Sequence, residues 1–186
     1  MNNRISVPPR STLTLDFVDG DLTVGARAVV KGTGSPSTVK VAGTVFCEED
    51  VNFECSLSAR NLEAEDDVTI HGDLVIEETA EVSDGRLEVR GNMTARTVEV
   101  DDALYVSEDL TATKVDVGGS IHVDGNVKAD DVDVGGSFHA KGEANIDSID
   151  VGGSMHADSK VNIRTLDTGG AVRGIGEVGE GDKAQP

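Results

Sequence analysis

Apolar residues in this chain come in pairs split by a single polar residue: Val98/Val100, Leu104/Val106, Leu110/Ala112, Val115/Val117, Ile121/Val123 and Val127/Ala129. The rhythm runs back through Leu62/Ala64 and Val51/Phe53 to Val39/Val41, and forward to Val161/Ile163. Alternation of period two places both members of a pair on one face of a short strand and the residue between them on the other. Steps between successive pairs are 6, 6 and 5, so three short strands recur with a period of 17, and only the coil from Leu74 to Met93 is stretched, to 19. Three strands per coil predict a triangular tube with an aliphatic interior and a polar exterior.

The same period is spelled out by a motif. Asp-Val-Gly-Gly-Ser begins at Asp116, recurs at Asp133 and Asp150, and ends in a degenerate copy, Asp167-Thr-Gly-Gly-Ala. A fixed period this short, with alternating apolar positions broken by Gly-Gly, is the signature of a β-solenoid. The glycine pairs at 118/119, 135/136, 152/153 and 169/170 are expected to stack along one edge and to supply positive φ at tight bends. The predicted fold is all-β: a single-stranded triangular β-helix of about 17 residues per coil and eight to nine coils, about 40 Å long at about 4.8 Å per coil.

Its expected boundaries are a flexible leader over residues 1–10, the β-helix over 11–178 and a disordered tail over 179–186. The first coils, carrying Leu13, Leu15, Phe17, Leu22, Val24, Ala28 and Val30, are imperfect. Residues 31–38, Lys-Gly-Thr-Gly-Ser-Pro-Ser-Thr, read as a loop extruded from a corner.

Charge changes the picture next. A net charge of -19 disfavours nucleic acid and anionic lipid as partners, because phosphate binding needs clustered Lys and Arg. The Asp-rich, Lys-poor balance suggests a high-salt cytoplasm, where screening over about 3 Å at molar salt removes self-repulsion. No transmembrane run or secretory apolar block is present, so a cytoplasmic location is expected. The two cysteines form no disulfide framework, and Cys47 occupies an inward position as a small core residue.

Two outward columns hold the candidate chemistry. The register stacks Glu63, Glu81, Glu99, Asp116, Asp133, Asp150 and Asp167 into a carboxylate ladder, expected to hold monovalent cations loosely and to make stability salt-dependent. A second column stacks His122, His139 and His156. These are candidates for zinc or nickel, but the repeat fixes no carboxylate beside them, and repetition alone produces identical ladders; the expected role is structural, with no metal and no cofactor. No enzyme site is legible. The glycine pairs lack the Gly-Lys-Ser/Thr of a phosphate loop, the serines after them have no activating base placed by the pattern, and the spacing does not fit calcium-binding nonapeptides. Left-handed hexapeptide acyltransferase solenoids are also triangular, but their turn is a strict 18 with Gly after the inward aliphatic, where Asp116 and His122 stand here. A ligand-binding or acyltransferase-like solenoid acting as a closed oligomer is kept as the alternative.

With these residues in view, the whole solenoid resembles the bactofilin family of polymer-forming cytoskeletal proteins, and most closely its acidic archaeal branch, the halofilins. The resemblance implies a right-handed β-helix that assembles end to end, without nucleotide, into non-polar filaments that maintain cell shape or position other proteins. It leaves open a homologous second subunit. Many relatives carry an apolar N-terminal membrane anchor that Met1–Val7 lacks, which leaves attachment at the inner face of the cell membrane undecided. Physics points the same way, since the last coil at each end leaves backbone groups unpaired. The expected docking residues are Leu13, Leu15, Phe17 and Val18 at one end and Leu166, Val172 and Ile175 at the other, with the chain itself as the partner.

Overall fold

The computed structural model describes residues 3–178 as a succession of 23 β-strands with no helix among them, and no helix long and apolar enough to cross a membrane. Every strand pairs in parallel with a strand one coil away, and the chain winds as a β-solenoid of about 10 turns, one to two more than the pattern predicts.

Three faces make the tube. The first climbs through Asn3–Val7, Gly20–Val24, Thr44–Cys47, Asn61–Ala64 and Thr79–Val82, then through the second halves of Met93–Val100, Leu110–Val117, Val127–Val134 and Ala144–Val151. The second climbs through Thr12–Thr14, Val29–Lys31, Val51–Glu54, Val68–Ile70, Arg86–Val89, Ala103–Val106, Ser120–Val123 and Phe138–Ala140 to the start of Met155–Thr168. The third begins at Phe17–Val18, Thr38–Val41, Ser56–Ala59 and Leu74–Ile76 and continues in the first halves of the long strands.

All the inward pairs read from the sequence are buried, and among the described residues the buried set contains no polar or charged residue. Leu104, for example, sits between Leu87 and Ile121 in the ladder and is 0% exposed, while Tyr105 beside it points outward. A stack of apolar side chains therefore runs the length of the tube, its Val, Leu, Ile, Phe and Met members each contributing about 1.5–3 kcal/mol on burial.

One feature differs from expectation at the N-terminal end. Asn3–Val7, expected in a flexible leader, is the first rung: Ile5 pairs with Leu22 and Val7 with Val24, one regular coil further on, and Val7 is buried. The solenoid thus starts at residue 3, not 11. The next turn advances the register by 23 instead of 17, as Val18↔Val41 and Leu22↔Val45 show, because residues 32–37 leave the tube between Val29–Lys31 and Thr38–Val41 as the expected loop. Two further one-residue insertions, one between Leu74 and Ala80 and one between Ala80 and Leu87, lengthen the step to 18 at Leu62↔Ala80 and to 19 at Val68↔Leu87 and Leu74↔Met93. The expected tail, 179–186, lies outside the described residues.

The corner glycines are needed for a different reason from the one expected. Among the described residues only Gly20 and Gly34 have glycine φ values in the left-handed region. The Gly-Gly corners are constrained instead by the coil beneath: Gly153 N donates to Gly136 O at 2.8 Å, and a Cβ on Gly153 would stand 2.5 Å from that same oxygen. A second corner is stitched by side chains. Asp73 Oδ1 accepts from Asn92 N at 2.8 Å, Asn92 Oδ1 from Asp109 N at 3.2 Å, Asp109 Oδ1 from Asn126 N at 2.7 Å and Asn126 Oδ1 from Glu143 N at 2.8 Å. This ladder of about 1 kcal/mol per bond has a repeated sequence mark, Gly before the acceptor at Gly72-Asp73, Gly91-Asn92 and Gly125-Asn126.

Leu104→Ala is expected to cost about 2–5 kcal/mol, and Tyr105→Ala less than about 1 kcal/mol, in denaturant unfolding. Gly153→Ala, which forces two coils apart, is expected to cost about 1–3 kcal/mol, whereas Ala at exposed Ser137 changes stability by less than about 0.5 kcal/mol. Equal costs within either pair would mean that the faces or the corner are assigned wrongly.

Candidate functional sites on the outward columns and coil ends

The carboxylate ladder forms as expected. Glu63 pairs in register with Glu81, Glu81 with Glu99, Glu99 with Asp116, and the column continues through Asp133 and Asp150 to Asp167. All seven are exposed, and among the described residues only Asp116 has an ion-pair partner, Lys114 at 3.7 Å. Below Glu63 the column holds Phe46, with the Arg4 guanidinium 4.9 Å above its ring, so the first coils carry none of the ladder's charge. Neighbours about 4.8 Å apart repel by about 1 kcal/mol in water.

On the second face the outward column reads Tyr105, His122, His139, His156 and Arg173. The imidazoles stack edge to face, with ring centroids 4.7 Å apart for His122 and His139 and 4.9 Å apart for His139 and His156. Contrary to the sequence expectation, carboxylates do stand beside them. His122 Nε2 lies 2.9 Å from Asp124 Oδ1, and His156 Nε2 lies 2.6 Å from Asp158 Oδ1. Lys141 holds the equivalent position on the coil between, and its Nζ reaches Asp124 at 2.7 Å. His139, with no carboxylate two residues on in its own coil, faces Asp158 instead, Nε2 to Oδ2 3.5 Å; that nitrogen is buried and makes no hydrogen bond. The hydrogen bond from His156 is the main cause holding Asp158 below the usual carboxylate range, with His139 adding less. Lys141, ahead of His122, does the same for Asp124. The signal that sequence reading missed is the spacing His122-Val-Asp124 and His156-Ala-Asp158.

Among the described residues, Asn3–Val7, Thr12–Thr14 and Phe17–Val18 each pair on one side only, as does Val172–Val178. Of the expected docking residues, Phe17 is 58% exposed, and Leu13 and Leu15 are partly buried against the core, joined there by Ile5. Val18 is fully buried and belongs to the interior of the first coil. At the other end Val172 is 44% exposed, Leu166 is partly buried, and Ile175 pairs in register with Lys160. That last strand cuts its turn short, since Met155 pairs with Val172 a full period on but Lys160 pairs with Ile175 before the period is complete, and Gly174 and Gly176 fall where lower coils carry side chains. The N-terminal end is thus the apolar one and the C-terminal end the thin one.

Both cysteines are buried and free. Burial pushes the Cys47 thiol far up and that of Cys55 to about 11, so neither is poised as the thiolate that reactive cysteines require.

The fold and these columns define a β-solenoid protein. Comparison with known proteins finds no matching family model, no matching curated protein and no matching solved structure.

Glu99→Gln removes one charge from between Glu81 and Asp116. It is expected to stabilise the protein by about 1–2 kcal/mol at low ionic strength, and by close to nothing in 1 M NaCl, where the screening length is about 3 Å. Thermal melts of both proteins across that salt range check it; an equal shift at both ends would attribute the effect to packing instead of charge.

Proposed function

We propose that this protein is a non-enzymatic scaffold that self-assembles end to end into filaments without nucleotide, working in the cytoplasm to maintain cell shape or to position other proteins. The observation that carries the reading is how charge is distributed along the tube. Residues 3–40 carry five basic and three acidic side chains, net +2, and residues 155–178 carry three of each. The coils between, residues 41–154, carry seven basic and 27 acidic, net −20. Two copies approaching flank to flank meet strong repulsion, while two copies approaching along the axis meet almost none. At low ionic strength electrostatics therefore disfavours lateral contact and leaves the ends available, a bias that molar salt weakens.

The ends also have the means to join. Unpaired strand edges template pairing with another chain, and the N-terminal edge adds Ile5, Leu13, Leu15 and Phe17 as an apolar surface. Joining like ends gives isologous contacts, and alternating the two kinds produces an open, non-polar filament. The difference between an apolar N-terminal end and a thin, glycine-bearing C-terminal end makes the N-terminal junction the stronger. This polymer is the kind that the resemblance to bactofilins implies, and it leaves room for a homologous second subunit at either junction.

Phe17→Glu and Val172→Arg test the proposal, because both side chains are exposed and the monomer should keep its melting temperature. In sedimentation velocity at high salt the wild type is expected to polymerise, each single variant to stop at dimers, and the double variant to be monomeric. A monomeric wild type, or assembly that neither substitution alters, would overturn the reading; a closed oligomer would favour a ligand-binding solenoid.

A further inference from the structure

We propose that His139, His156 and Asp158 form a binding site for one divalent transition-metal ion of the zinc, nickel or cobalt class on the second face of the tube. The ligand atoms of the three residues all lie within 4.8 Å of one another. Two imidazole nitrogens and a carboxylate oxygen are a donor set suited to these borderline ions.

The distances fit. Bonds of about 2.0–2.2 Å to nitrogen and oxygen set tetrahedral ligand atoms about 3.3–3.5 Å apart. His139 Nε2 and Asp158 Oδ2 already stand 3.5 Å apart. His156 Nε2 and Asp158 Oδ1, at 2.6 Å, share a proton that a metal would displace, widening the pair by a side-chain rotation. His139 Nε2 adds a second observation: it is shielded from solvent, and its carboxylate neighbour, Asp158 Oδ2 at 3.5 Å, is not placed to hydrogen-bond it, a state that costs free energy and that a metal bond would relieve. Parallel stacking holds the two histidines on adjacent rungs, so little ordering is left to be done on binding.

The neighbouring coil is a different environment. Asp124 is already taken by Lys141 at 2.7 Å and by His122, so His122 lacks a free carboxylate and lies outside the site. The acidic ladder is on another face and offers oxygen only, which suits magnesium and calcium and not the proposed class.

The test is a CoCl2 titration of untagged, chelator-stripped full-length protein in 1 M NaCl with millimolar MgCl2, which occupies weak oxygen sites. One equivalent of Co2+ is expected to bind with new visible absorption. His139→Ala, His156→Ala and the near-isosteric Asp158→Asn should each weaken binding by at least about tenfold, with circular dichroism and melting unchanged in chelator. His122→Ala and Asp133→Asn should shift it less than about threefold. Absence of saturable binding up to about 0.1 mM Co2+ would overturn the proposal. So would affinity unchanged in both His139→Ala and His156→Ala, or abolished in Asp133→Asn.

Discussion

Every coil of this protein must lie on the one below it at the spacing of a parallel ladder, about 4.8 Å, and that single constraint explains most of the chain. Inward it requires an apolar side chain at each rung, because a polar one would be buried against identical neighbours with no partner. At the Gly-Gly corner it leaves no space for a Cβ beneath the next coil's backbone. At the Asp73–Glu143 corner it brings each side-chain acceptor under the amide of the following turn. Outward it turns any repeated residue into a column, so that charge repeated by the sequence becomes charge stacked in space.

The interior was legible because the alternation of period two runs from Val39 to Ile163, the coil repeat departs from 17 only around Leu74–Met93, and each inward pair named from the pattern is buried. The first rung was not. Ile5/Val7 sits one period before Leu22/Val24, but Pro8-Pro9 follows at once and a lone pair carries little periodicity. The role of the corner glycines was misread because a turn and a close approach leave the same mark in sequence, and only the stack distinguishes them. The acid ladder was visible since all seven members are identical in charge. The carboxylates of the histidine column were missed because Lys141 interrupts their repeat and because Asp158 serves a histidine one coil away, a pairing created by stacking alone.

The same constraint that builds the tube also prevents it from ending well. A ladder has no natural last rung: its final coil always offers a row of backbone groups, and closure or capping must come from elsewhere. Among the described residues the coils at both ends carry little net charge beside the middle, and the first coil has Ile5, Leu13 and Leu15 only partly buried against the core. On the proposed reading the acidic flanks disfavour sideways contact while the ends meet, an effect that high salt weakens along with the repulsion within a column.

The most direct test of this account is cryo-electron microscopy of the wild-type protein in high salt. The account predicts unbranched filaments one tube wide, in which the coil spacing of about 4.8 Å continues across junctions between the terminal coils. Discrete closed particles, or filaments in which chains touch through their acidic flanks, would contradict it.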